Sequence, residues 1–198
     1  MKKVELLAPA GSLEALQAAV MNGADAVYLG GKHYGARAFA NNFDEAEMKQ
    51  AVEYAHQYGV RVFVTVNTLI YEEEIHSCLD YIGKLQELDV DAVLLQDLGL
   101  AMLVRQRYPN LELHASTQMH IHNREGIALM KELGFQRVVL PRETSIEDIR
   151  EYAKLGMDLE VFVQGALCVS YSGQCLMSSL TLSRSGNRGE CAQNCRMQ

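Results

Sequence analysis

Short apolar runs separated by stretches of helical periodicity recur along most of the chain. Runs rich in Val, Leu and Ala cover Val4–Leu7, Ala26–Leu29, Val60–Val66, Ala92–Leu95, Leu111–His114, Val138–Leu140 and Leu159–Val163. They are nearly continuous rather than alternating, as expected of strands covered on both faces. Successive runs start 19 to 34 residues apart, which leaves room for a crossover helix, so parallel strands are expected.

The intervening segments read as amphipathic helices. Met48, Ala51, Val52 and Ala55 fall at i, i+3, i+4 and i+7, behind an Asp44/Glu47 pair with capping-box spacing. Ile75, Cys78, Leu79 and Ile82 repeat the template behind Glu72-Glu73-Glu74, whose charges suit the positive end of a helix dipole. Thr144 and Glu147 have the capping-box spacing again, ahead of Ile149 and Tyr152. Gly23 and Gly59 stand just before strands, where a helix can stop in a left-handed conformation at little cost.

About seven βα-like units can be counted and no eighth strand is evident, whereas a closed (β/α)8 barrel typically needs about 250 residues. The expected fold is α/β, a (β/α)8 TIM-barrel-like architecture, truncated or incomplete. A doubly wound open sheet is the alternative. Residues 1–164 are expected to form the parallel β/α barrel units. Residues 165–198 turn rich in Cys, Ser, Gly and Arg. They are expected to form a Cys-rich metal-binding segment that continues into a further C-terminal part.

Composition narrows the class. At 48% hydrophobic and 22% charged residues the chain is an ordinary globular one, not a disordered or low-complexity protein. Its net charge of −7 argues against broad adhesion to nucleic acid, without excluding a local basic patch. Arg184, Arg188 and Arg196, opposed only by Glu190, could contact RNA phosphates or form a solvated loop. No apolar run approaches the ~18 residues of a membrane span, and the amino terminus lacks a signal-peptide core. A cytoplasmic protein with no membrane partner is expected.

In a parallel barrel the residues just after each strand gather on one face and supply the site. Here those positions are polar and rich in amides, with Asn67, Gln96, Gln118, Arg142 and Gln164 the candidate substrate-binding residues. Such a rim suits a small polar or anionic ligand, although any single Asn, Ser or Asp could merely cap the next helix. Arg142 can grip a carboxylate through two parallel hydrogen bonds, or pair with Glu143. Asp97 is either a general base or a helix cap. Asp97, Arg142 and Glu143 are the catalytic candidates.

The strongest chemical signal is Cys168-x6-Cys175-x15-Cys191-x3-Cys195. In a cytosolic chain four such thiols point to metal or redox use, and thiolates suit zinc or an iron–sulfur cluster. Paired Cys-x2-Cys knuckles of a zinc ribbon are missing, so ligands from separate loops around a cluster fit the spacing better. Cys78 lies on an apolar helix face and reads as core. His114, His120 and His122 gather near the fifth strand, as rim histidines or as a His-x-His metal pair. Neither HExxH nor GxSxG is present.

Glu160-Val161-Phe162-Val163-Gln164-Gly165-Ala166-Leu167-Cys168, followed by Gly173-Gln174-Cys175-Leu176-Met177-Ser178, resembles the signature of peptidase family U32. Leu6-Leu7-Ala8-Pro9-Ala10-Gly11, the stretch 23–31 and the stretch 188–196 also look like family landmarks. The resemblance implies a barrel-like N-terminal domain of a longer protein. It implies one of two activities: collagenase-like proteolysis, or prephenate-dependent, oxygen-independent hydroxylation with an iron–sulfur cluster of the 4Fe-4S type, acting on tRNA, on rRNA or in ubiquinone synthesis. Cys168, Cys175 and Cys191 match the family's cluster ligands, and the fourth ligand is either Cys195 or a residue further on. Prephenate would be the small carboxylate ligand, and tRNA uridine the first target. A non-catalytic cluster scaffold bound to a protein partner is a third reading.

Overall fold

The computed structural model describes residues 4–38 and 40–196. Seven strands, β1 (Leu7–Pro9), β2 (Ala26–Gly30), β3 (Arg61–Val66), β4 (Ala92–Leu95), β5 (Glu112–Ala115), β6 (Arg137–Val139) and β7 (Asp158–Glu160), lie side by side in chain order. Every neighbouring pair is parallel. A doubly wound sheet reverses its order at a switch point. The unbroken order here is that of barrel staves. Among the described residues β1 pairs only with β2 and β7 only with β6, so the barrel lacks a closing stave.

A helix follows each of the first six strands: α1 (Leu13–Met21), α2 (Glu45–Gln57), α3 (Ile75–Glu87), α4 (Leu98–Arg107), α5 (Arg124–Glu132) and α6 (Ile146–Tyr152). Strand side chains alternate between two faces. Val27, Val62, Val64, Val93 and Leu113 face outward and pack with helix residues such as Leu16, Met48, Ile82 and Ile127 in the main core. Ala26, Phe63, Ala92, Leu94 and Val139 face inward and form a smaller one. Both faces are covered, which is why the strands read as continuous apolar runs.

The floor of the barrel is charged rather than aliphatic. Arg61 donates to Glu112 at 2.7 Å, and Arg137 to Glu5 at 2.6 Å and to Glu160 at 3.5 Å. His114 Nε2 lies 2.8 Å from Glu112 Oε1. Both guanidinium groups lie over the Phe63 ring, their carbons 4.8 and 5.1 Å from its centroid. Buried charge must be paired, and this layer pairs it. Burial pushes the His114 imidazole below its ordinary pKa although Glu112 opposes that shift. It pulls the Glu160 carboxyl up against the effect of Arg137.

Several expectations shift by a few residues. β1 starts at Leu7, where its register with Ala26 begins, and Val4 and Leu6 stay exposed. β7 ends at Glu160, and Val161 and Val163 project into solvent. The Asp44/Glu47 capping box forms as expected, with both bonds at 2.9 Å. The Thr144/Glu147 box does not, because Ser145, one residue on, caps α6 by accepting from the Asp148 amide at 3.1 Å. Gly23 and Gly59 take positive φ of 89° and 71°, ending their helices in the left-handed region. Cys78 is fully buried on α3, and burial pushes its thiol up to about 12.

Residues 165–196 contain only α7 (Met177–Leu182) and a short 3-10 turn (Asn194–Arg196). Little of this segment is buried. Its place in the molecule comes from polar bonds to the barrel.

Candidate functional site

The C-terminal ends of the strands surround a cavity of about 250 Å3. That lies just under the ~300–1,000 Å3 usual for small-molecule pockets, so it suits a small ligand. Tyr28, Leu94 and Val139 line its inner wall, and Asn67, Ser116, Gln118 and Arg142 line its polar rim. Arg142 follows β6, and its guanidinium carbon lies 4.1 Å from the Phe162 ring centroid. Stacking on the ring face orients the planar cation while its in-plane N–H groups remain suited to a carboxylate. Arg37, from the β2–α2 connection, supplies a second cation to the same cavity. Sequence reasoning missed it. The connection has no periodicity, and a basic residue in an unusually long βα loop was the one available signal.

The amides divide in role. Asn67 is held by the Ala36 amide at 3.1 Å and by the Ser116 hydroxyl at 3.2 Å, which fixes it on the rim. Gln118 lines the cavity, but its Oε1 accepts from Asn187 at 3.0 Å. Gln96 lies outside the cavity lining and accepts from the same Asn187 at 2.6 Å. Gln164 is exposed and also outside the lining. Asp97 takes the capping alternative: it accepts from the Leu100 amide at 2.9 Å and from the Ile70 amide at 3.2 Å. His114 belongs to the charged floor, not to the rim.

Glu143 faces Ser172 and His122 rather than Arg142. It accepts from the Ser172 amide at 2.9 Å and hydroxyl at 3.2 Å, and lies 3.4 Å from His122 Nε2. Burial raises its carboxyl, but the Ser172 donors and His122 outweigh that and hold it below the usual carboxylate range.

The Cys-rich segment is clamped over this mouth. Asn187 bridges Gln96 and Gln118 and accepts from the Leu69 amide at 3.0 Å. Arg188 donates to Glu74 at 2.6 and 3.0 Å and stacks on Tyr71. Gly189, at φ 84°, runs backbone against backbone along Arg37 and Ala38. A Cβ there would meet the Arg37 nitrogen at 2.6 Å.

All five cysteines are thiols, and the four C-terminal ones are exposed. Cys168 lines the cavity. The strands of chain that carry the four are tied to one another: Arg196 donates to the Leu167 carbonyl at 2.5 Å, and the Ala192 amide to the Ser178 hydroxyl at 3.1 Å. A Cβ at Gly186 would lie 3.6 Å from the Cys175 carbonyl oxygen and 4.0 Å from the Cys191 Cβ, so the chain at Gly186 passes close to both residues. Among the described residues no three cysteine sulfurs lie within 4.8 Å of one another. Sulfurs around one tetrahedral zinc, each about 2.3 Å from it, would be ~3.8 Å apart. The four thiols are therefore not gathered as the ligands of one tetrahedral ion in this structure.

The profile of peptidase family U32 matches residues 11–198. The chain belongs to that family. It is 43% identical over 196 residues to tRNA hydroxylation protein P1 of Bacillus subtilis, covering 98% of this chain and 46% of that protein. It is 40% identical over 196 residues to the 23S rRNA 5-hydroxycytidine C2501 synthase of Escherichia coli, covering 98% of this chain and 29% of that enzyme. This U32 chain thus spans less than half the length of either relative. A solved U32 peptidase shares its fold, with TM-score 0.67 and 17% identity over 80% of this chain and 68% of that one.

Proposed function

We propose that this U32 chain is the barrel part of a cytoplasmic RNA-hydroxylating protein, with tRNA uridine as its first target. In this reading Cys168, Cys175, Cys191 and Cys195 hold a 4Fe-4S cluster and the cavity holds prephenate or a similar small carboxylate. One observation carries it: Cys168, one of four thiols on a segment clamped to the rim, lines the same cavity as Arg142 and Arg37. The relatives that act on tRNA and 23S rRNA by name support an RNA substrate.

When bound, a cluster supplies one-electron redox chemistry at the mouth. The chain's own residues bind and orient. Arg142, stacked on Phe162, takes the carboxylate, Arg37 adds a second positive charge, and Asn67 donates from a fixed position. The apolar wall of Tyr28, Leu94 and Val139 excludes water from the ligand's other face. The cavity is too small for folded RNA, so only an unstacked base could reach it.

Anaerobic reconstitution followed by iron and sulfide analysis tests the metal assignment. The expected result is about four irons per chain in the full-length protein, lost when Cys168, Cys175 and Cys191 become Ser; no bound iron overturns it. Nucleoside mass spectrometry of total RNA from a deletion strain tests the substrate. A missing hydroxylated uridine supports the tRNA reading, a missing hydroxycytidine redirects it to rRNA, and an unchanged profile rejects RNA hydroxylation.

A further inference from the structure

Next to the cavity-lining residues Gln118, Arg142 and Ser172, the loops after β5 and β6 bring together three ligand-type side chains that the reading above does not use. His120 Nδ1 lies 3.3 Å from His122 Nε2, and His122 Nε2 lies 3.4 Å from Glu143 Oε1. Ligand atoms of all three residues lie within 4.8 Å of one another. Nitrogen and oxygen donors held 2.0–2.2 Å from one zinc ion are roughly 3–3.5 Å apart, which the two closest pairs match. The Ser172 carbonyl, 3.0 Å from His120 Nδ1, adds a fourth donor atom in the same range.

The surroundings are built to hold this arrangement. His120 sits at φ 60°, ψ 45°, the left-handed region that a non-glycine residue seldom occupies, at the end of the 3-10 turn Thr117–Met119. That turn sets the two imidazoles with centroids 4.1 Å apart and ring planes at 62°. The Tyr152 hydroxyl donates to the His122 carbonyl at 2.6 Å and fixes the backbone there. Tyr171 covers both rings edge-on at 6.0 and 6.1 Å. Both carboxylate oxygens of Glu143 are oriented by Ser172, through its amide and its hydroxyl. Outer partners of this kind usually support a carboxylate or imidazole that ligates a metal.

We propose that His120, His122 and Glu143 form a site for one divalent transition-metal ion of the zinc class. It is separate from the four thiols and pins the 168–175 strap to the barrel rim. Two imidazoles and one carboxylate are a donor set that zinc accepts readily. Two of the donors come from the β5–α5 loop and one from the β6–α6 loop, while Ser172 belongs to the strap. A bound ion would therefore join three separate stretches of chain at one point.

Cobalt(II) titration tests this in the full chain with Cys168, Cys175, Cys191 and Cys195 all changed to Ser, which removes every competing exposed thiolate. The expected result is one equivalent of cobalt, with d–d absorption of a nitrogen/oxygen site and no thiolate charge-transfer band, displaced by one equivalent of zinc. His122→Ala should abolish binding, and Ser172→Ala should weaken it by roughly 10–100-fold. The wild-type chain with its exposed thiols alkylated should give the same titration and covers the case of a four-serine variant that fails to fold. No cobalt binding in either form, or equal binding with His122→Ala or Glu143→Gln, overturns the proposal. Because the thiols are removed or blocked throughout, the outcome is independent of whether a cluster binds.

Discussion

Arg142 and His114 show how environment assigns a residue its work. Each follows or lies within a strand, yet one faces the cavity and the other the floor. Stacking on Phe162 gives Arg142 a fixed plane in front of the cavity. Replacing it with Ala should weaken binding of a small carboxylate by about tenfold or more, since a hydrogen bond to a charged group contributes ~1.5–3 kcal/mol. Isothermal titration with prephenate measures this, and Arg142→Lys should recover only part of the loss because Lys lacks the two-pronged geometry. His114 is fully buried and its pKa is depressed, chiefly by burial. The unfolded chain takes up that proton near pH 6.5 while the folded one resists it, so the His114 contribution is present above about 6.5 and is lost as pH falls from there. Denaturation between pH 7.5 and 5.5 should show stability decreasing with acid, with a shallower slope in His114→Gln.

At the scale of elements, the strands were legible because one physical rule governs them. Val62 to Val66 reads as a nearly continuous apolar run, broken only at Thr65, since helices cover one face and the barrel interior the other. The ends of elements were less legible. Ser145 displaced Thr144 as a cap because both carry a hydroxyl and only the backbone angle decides between them. The clamp at Asn187 and Arg188 was not legible at all. Its partners Gln96, Gln118 and Glu74 lie 69 to 114 residues away, and no periodicity connects them. Gln96 consequently looked like a ligand contact when its Oε1 is satisfied within the protein.

The clamp itself titrates. The Arg188 hydrogen bond holds the Glu74 carboxyl below its ordinary range. Its contribution is complete above the usual carboxylate pKa and disappears as pH falls through the lowered value. Hydrogen exchange in residues 184–196, taken relative to the intrinsic rate at each pH, should therefore accelerate in acid, and at neutral pH in Glu74→Gln or Arg188→Ala. The barrel strands should keep their protection. Equal acceleration in strands and segment would show that the clamp supports the whole fold instead.

Across the whole molecule, an open barrel needs something to hold its ends in register. Arg137 on β6 reaches Glu5 ahead of β1 at 2.6 Å, and with Glu160 on β7 it links the two sides of the opening. Removing one member of a buried pair leaves the other uncompensated, at a cost of about 3–5 kcal/mol. Arg137→Met should therefore lower the urea midpoint sharply, and a joint change of Arg137 and Glu5 to apolar residues should restore part of it. Strand spacing gave the parallel β/α architecture but left a doubly wound sheet open, and the unbroken strand order decides for barrel staves. The charged floor was not legible, because Arg61, Glu112 and Arg137 begin three different strands and no sequence pattern pairs them.

The close passage of Gly189 along Arg37 and Ala38 has a mechanical consequence. Two main chains that touch with no side chain between them have no slack, so neither loop can swing without carrying the other. Whatever enters the chamber and shifts Arg37 would tug on the stretch leading to Cys191.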